Sequence, residues 1–215
     1  MKKFLTATVL VMALMLSSCE PAVTFNKPQP DTEKPLIDFP DRLHGNYLSE
    51  DQASVITITD SVITRHYEFD YSQHKDSIGA SCKIVGDSLV NTSNGIKEKI
   101  SLQGDSLIHH ESWTDTLFRI SDENVLKKFR GYYFLNNRFK DKGWEVKQMW
   151  LKKGVLTIGS ISDKSDIQKL KEITETTADT TSTTFSITKK QLKQFVKQDG
   201  FGNREKFTRI KTGGR

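Results

Sequence analysis

Proline is missing from most of this chain. All five prolines (Pro21, Pro28, Pro30, Pro35 and Pro40) fall within residues 21–40, and none lies from 41 to 215. Cysteine is scarcer still: Cys19 and Cys82 are the only two, which excludes a disulfide framework. The apolar run at 4–16 is thirteen residues long, short of the roughly twenty that a permanent membrane-crossing helix needs. Catalytic signatures are also missing. There is no His-Glu-x-x-His, no Cys-x-x-Cys, no Gly-x-Ser-x-Gly and no glycine-rich phosphate loop before a lysine. The five histidines are His44, His66, His74, His109 and His110. The last two are neighbours on a predicted strand, so they point to opposite faces and cannot easily share one metal. These absences predict a protein without catalytic residues, metal or cofactor. What is present sets the class. With 27% charged residues the chain is not a polytopic membrane protein, and with 9% aromatics it is not a disordered one.

The amino terminus carries an address. Lys2 and Lys3 precede the apolar run, as in a secretory signal. Leu16-Ser17-Ser18-Cys19 then follows, a branched aliphatic residue, two small residues and a cysteine. This tetrapeptide resembles the lipobox of bacterial lipoproteins, and the chain resembles envelope lipoproteins of the Bacteroidota type. The resemblance implies cleavage after a signal peptide at 1–18, diacylglycerol on the Cys19 sulfur and acylation of the new amino terminus. Several acyl chains, palmitate among them, give stable anchoring where one is marginal. In that group a cluster of acids after the cysteine favours export to the cell surface. Here Glu20 stands alone, which implies an outer-membrane protein facing the periplasm, with the cell surface as the alternative. Loss of the signal leaves 30 basic against 27 acidic side chains, +3, and Cys82 as the sole free thiol candidate. An unpaired cysteine in a strand-like run is expected to be buried.

The predicted fold is mainly β (α+β), an antiparallel meander or barrel-like sheet, with short helices inserted in the C-terminal half. The proline-rich segment 19–40 reads as the lipidated cysteine and a semi-rigid tether, and the folded body starts at 41. Two β-rich halves, 41–121 and 122–215, are expected, either related, since Leu43-x-Gly45-x-Tyr47 is echoed by Phe129-x-Gly131-x-Tyr133, or alike only in the composition of their strand starts. Strands are expected at 55–58, 62–71, 84–85, 87–91, 96–102, 105–111 and 115–120 from β-branched runs and alternation. Gly86-Asp87 and Gly104-Asp105 mark tight turns. A short helix is expected at 121–128, then strands at 131–135, 144–151 and 155–161 and a helix at 166–173. Thr188-x-x-Gln191 opens a second helix as a capping box, and Gly200 is expected to end it in a left-handed conformation. A closing strand follows at 205–210.

Four features bear on function. Tyr67, Phe69 and Tyr71 alternate with His66, Glu68 and Asp70, so a 62–71 strand has one aromatic and one polar face. With Trp144 and Trp150, these aromatics could line a sugar or lipid site or simply be core. Charge is split: residues 20–121 carry 9 basic and 16 acidic residues, and 122–215 carry 21 and 11. Such a basic half could meet anionic lipid headgroups, lipopolysaccharide or an acidic protein, and nucleic acid is not an expected partner. Six triplets read Asp, then Ser or Thr, then a methyl-bearing residue. They resemble the O-glycosylation acceptor of exported Bacteroidota proteins, which implies acceptors at Ser61, Ser77, Ser88, Ser106, Thr116 and Thr180. Asp-Ser is equally turn chemistry before a strand. Finally, the Gly-x-Tyr strand starts resemble the Gly-x-Trp start of lipocalin-type barrels, which implies a carrier of a small apolar ligand. The leading expectation is a non-enzymatic, lipid-anchored module that binds a partner protein or envelope polymer, with the carrier as alternative.

Overall fold

A computed structural model describes residues 21–175 and 184–210. Cys19 and Thr180 lie outside the described residues. The fold is mainly β and mostly antiparallel. The strands are, in chain order, β1 (Thr24–Phe25), β2 (Gly45–Ser49), β3 (Ser54–Ile58), β4 (Val62–His74), β5 (Cys82–Val85), β6 (Ser88–Asn91) and β7 (Lys97–Gln103). They continue with β8 (Ser106–Arg119), β9 (Asn124–Phe129), β10 (Tyr132–Arg138), β11 (Trp144–Lys152), β12 (Val155–Ser160), β13 (Thr184–Phe185) and β14 (Asn203–Arg209). Among the described residues, two short helices lie in the C-terminal half, α1 (Lys164–Thr174) and α2 (Lys189–Lys197).

The chain divides differently from the expected halves. Of the described residues, one compact unit takes 21–37, 120–150, 157–175 and 184–204; the other takes 38–119, 151–156 and 205–210. In the second unit the strand order is β14-β2-β3-β4-β8-β7-β6-β5, a meander of antiparallel neighbours. Gly86 (φ 64°) and Gly104 (φ 59°) supply the positive φ that the β5–β6 and β7–β8 turns need. The register rows Tyr47–Ile56–Arg65 and Gly45–Ile58–Ile63 put alternate residues on one face. There Tyr47, Ile56, Ile58, Ile63, Phe118 and Phe207 are buried, with Phe39 set edge-on to Phe118 at 6.0 Å. The segments expected at 105–111 and 115–120 are one strand, β8, which β4 pairs from His74↔Ser106 to Val62↔Arg119 with a single bulge at Leu117, where the register shifts between Ile63 and Thr64.

In the first unit, β10 pairs with β9 and β11. The short β1 pairs antiparallel with β11 and parallel with β13. One apolar cluster joins Val23, Phe25, Phe134, Val146, Leu170, Phe185, Leu192, Phe195 and Phe201. Three expectations are corrected here. Residues 121–128 are not a helix. Arg130 (φ 53°) and Gly131 (φ 85°) make a tight hairpin that draws 124–129 into β9, and ladder bonding overrides the local cap at Ser121. Gly200 is not the left-handed residue ending α2. Asp199 is (φ 60°), and the Gly200 N–H closes the turn on Phe195 O at 3.0 Å. Gly200 is required for another reason: the ring of Phe195 stands where its Cβ would be. The capping box at Thr188 and Gln191 is present as expected.

The largest correction concerns the proline-rich segment, which is part of the folded unit. Val23 and Phe25 are buried in the core cluster. The Gln29 N–H donates to Asn136 Oδ1 at 2.5 Å, and Asn136 Nδ2 returns a bond to Gln29 O at 3.0 Å. Leu36 bridges to Leu126. The ammonium of Lys127, 4% exposed, donates to the carbonyls of Pro28 (3.0 Å), Pro30 (2.8 Å) and Asp31 (3.4 Å). Prolines suit such a path, because a docked extended strand needs few backbone donors.

Candidate functional site

The β4–β8 ladder does two jobs along its length. Near Ile63 and Phe118 its apolar face is covered by core. Farther along, the same face emerges into solvent. Directly opposite pairs are Tyr67↔Trp113, Phe69↔Glu111 and Tyr71↔His109. Tyr67 stacks on Trp113 (4.8 Å, 20° between planes), Phe69 meets Trp113 edge-on at 5.6 Å, and Tyr71 lies flat on His109 (4.5 Å, 3°). Phe69, Tyr71 and Trp113 are 45%, 42% and 45% exposed, whereas His109 beneath is buried. This is a contiguous aromatic patch fixed by cross-strand pairing, not by a covering layer.

Carboxylates fringe the patch. Glu111 sits opposite Phe69, Asp115 accepts from Trp113 Nε1 at 3.3 Å, and Glu98 pairs with His109 Nδ1. Partial desolvation first, then the charges of Glu98 and Glu111, push the Tyr71 phenol above its ordinary pKa. The other ring nitrogen of His109 faces Gln73 Oε1 at 3.1 Å. Arg65 is the cation at the inner end of the face. Its guanidinium binds Glu205 Oε2 at 2.5 Å, contacts the Tyr67 hydroxyl at 3.2 Å and lies over Phe207 at 5.0 Å. That pairing leaves the outer face aromatic and acidic.

The opposite face of the ladder is polar. His66 Nδ1 is 2.9 Å from Thr114 Oγ1, and His110 Nδ1 is 2.6 Å from Asp70 Oδ1. With Leu48, Ala53 and Val55, residues His66, Glu68 and Asp70 line a hollow of about 490 Å³. Among the described residues no group of three or more His, Cys, Asp or Glu side chains is arranged to hold a metal.

The remaining sequence-predicted residues scatter. Trp144 is buried, and Trp150 packs against Tyr132 and Arg204, so neither joins the patch. Cys82 is half-buried on β5, not buried as expected, because β5 is the outermost strand of its meander. Ser61 lies in the turn before β4, Ser77 is exposed in a single helical turn, Ser88 and Ser106 are half-buried first residues of β6 and β8, and Thr116 is exposed on β8. Sequence reasoning missed Trp113, because 112–114 was read as a break between strands. The signal was there: Leu107, His109, Glu111, Trp113 and Asp115 keep one period-two row. No protein-family model, no curated protein and no solved structure matches this chain.

Proposed function

We propose that this chain is a non-enzymatic, lipid-anchored envelope protein that docks a partner protein on the exposed face of the β4–β8 ladder. The observation that carries this reading is the half-exposed patch of Tyr67, Phe69, Tyr71 and Trp113 with its carboxylate fringe. Tyrosine and tryptophan dominate the energetic centres of protein interfaces, and rings held by cross-strand stacking lose little freedom on binding. Carboxylates beside aromatic faces select a cationic surface, so the partner presents lysine or arginine among apolar side chains. The Leu16–Cys19 lipobox supports a lipid anchor at Cys19 and a location in the outer membrane, facing the periplasm. The apolar-ligand carrier is the weaker reading, because Tyr47, Tyr133 and a set of phenylalanines fill the cores. Among the described O-glycan acceptors, Ser77 and Thr116 are the exposed ones.

The test is a photo-crosslinking amino acid at position 69 in the lipidated chain, activated in intact envelopes. A discrete protein adduct is expected, and combining the label with Trp113→Ala and Tyr67→Ala should reduce its yield about tenfold or more, the loss of one interface anchor. Adducts confined to glycan would replace the partner protein by a polymer. An adduct insensitive to both substitutions would refute the docking face. The intact mass of the same material reads the acyl chains on Cys19 and any sugar directly.

A further inference from the structure

We infer that the lysine stripe of α2 rests on the anionic headgroups of the membrane that holds the protein. The helix sequence, residues 189–197, contains four lysines and no acid. Leu192 and Phe195 are buried in the core cluster with Val196 packed against it, so the helix has a fixed inner side. At 100° per residue Lys190, Lys193 and Lys197 fall together on the outer side. Lys190 and Lys197 are exposed and Lys193 is half-buried. Lys189, at the edge of the stripe, is engaged instead by Glu33 and lies over Phe129.

The membrane is chosen as occupant by where the chain begins. This inference rests on lipid at Cys19. Three residues lie between Cys19 and buried Val23, four residue steps with a reach of about 14 Å when extended. Val23 shares one apolar cluster with Leu192 and Phe195. β1 lies beside β13, the Asn26 N–H donates to Phe185 O at 3.0 Å, and Thr188 three residues later caps α2. Lys27, also exposed, lines one hollow with Ser186 and Thr188. With so short a link, the acyl chains hold this unit near the lipid surface, and the lysines of α2 sit on a helix packed into the same apolar cluster as Val23. Lysines near an anionic leaflet each add about 1 kcal/mol of attraction, lost within a Debye length.

The test uses the mature chain with Cys19→Ser, so that acyl chains do not mask the weaker contact. It is floated with vesicles of phosphatidylcholine alone or with about 30% phosphatidylglycerol, an anionic fraction enough to make a negative surface. Retention on the anionic vesicles at low salt is expected, with a fall of about 100-fold in partitioning for Lys190→Ala/Lys193→Ala/Lys197→Ala. An unchanged unfolding midpoint in the triple variant certifies its fold, because all three side chains face outward. Equal retention of the variant, no preference for anionic vesicles, or binding to heparin but not to vesicles would each overturn the inference. Palmitate labelling of the unaltered chain reads the anchor separately, so failure of the stripe and failure of the anchor are distinct results.

Discussion

Lys127 offers the sharpest test of the docked amino-terminal segment. Its ammonium is the main polar link between β9 and residues 28–31. Lys127→Met keeps the stem and removes the three donors. A buried carbonyl left without a donor costs about 1–3 kcal/mol. The bond to Pro30 O is fully buried and carries that cost, while Pro28 O and Asp31 O reach water and carry less. Against this, the substitution relieves the desolvation of a buried cation. That desolvation already holds the Lys127 pKa below its ordinary value of 10.5, with Asp31 and Glu33 pulling the other way. The balance is a loss of about 2 kcal/mol, or about 4–8 °C in melting temperature for a chain of this size. Urea unfolding measures the loss, and hydrogen exchange at Asn26, Gln29 and Leu36 locates it. The pH dependence has a fixed sign. A lowered folded pKa means that the unfolded chain holds more protons between that value and 10.5, so stability from this group rises with pH across that window. The advantage of the unaltered protein over Lys127→Met therefore grows on going alkaline. An advantage that shrinks there, or exchange in 26–36 as fast with Lys127 as without it, would refute the reasoning.

Two further substitutions separate the structural roles. Gly200→Ala drives a methyl into the Phe195 ring and should cost about 1–3 kcal/mol. Asp199→Gly relieves a left-handed backbone strain of about 1 kcal/mol, so it should be near neutral even though the pairing of Asp199 with Arg204 is lost. The reverse order in chemical unfolding would restore Gly200 as the left-handed residue. On the ladder, Trp113→Ala should cost about 1 kcal/mol, against about 4 kcal/mol for Phe118→Ala on the same strand. Equal losses would mean that Trp113 is core, not a displayed ring.

What the sequence discloses depends on how local the deciding interaction is. The capping box at Thr188, the glycine turns at Gly86 and Gly104 and the alternation of 67–71 are decided within a few residues, and each is legible. The placement of 21–36 is decided by partners about 90 to 160 residues away: Asn136, Lys127 and Leu126 for the proline path, and β11 and β13 for β1. Nothing within the segment distinguishes a docked extended chain from a free one, since prolines serve both. Residues 121–128 show the same limit. Ser121 and Asp122 resemble a helix start, and only the hairpin with β10 decides for a strand. The candidate site was half legible. Alternation placed Tyr67, Phe69 and Tyr71 on one face, but exposure depends on whether another layer covers that face, and periodicity carries no such information.

This dependence on a covering layer bears directly on how the ladder can bind. β4 uses one alternating pattern from end to end, yet Ile63 is core and Phe69 is display. A sheet that extends past its core has two ways to meet a partner, by adding a strand at its free edge or by docking on its face. The free edge here is β5, four residues long and carrying Lys83 at its centre. Short, charged edges discourage strand addition. The face, by contrast, has its rings already stacked and its backbone bonds already spent within the ladder, so little ordering remains to oppose binding. Edge and face together favour side-chain recognition across the aromatic patch, which makes binding sensitive to Trp113 and Tyr67 and insensitive to the sequence of β5.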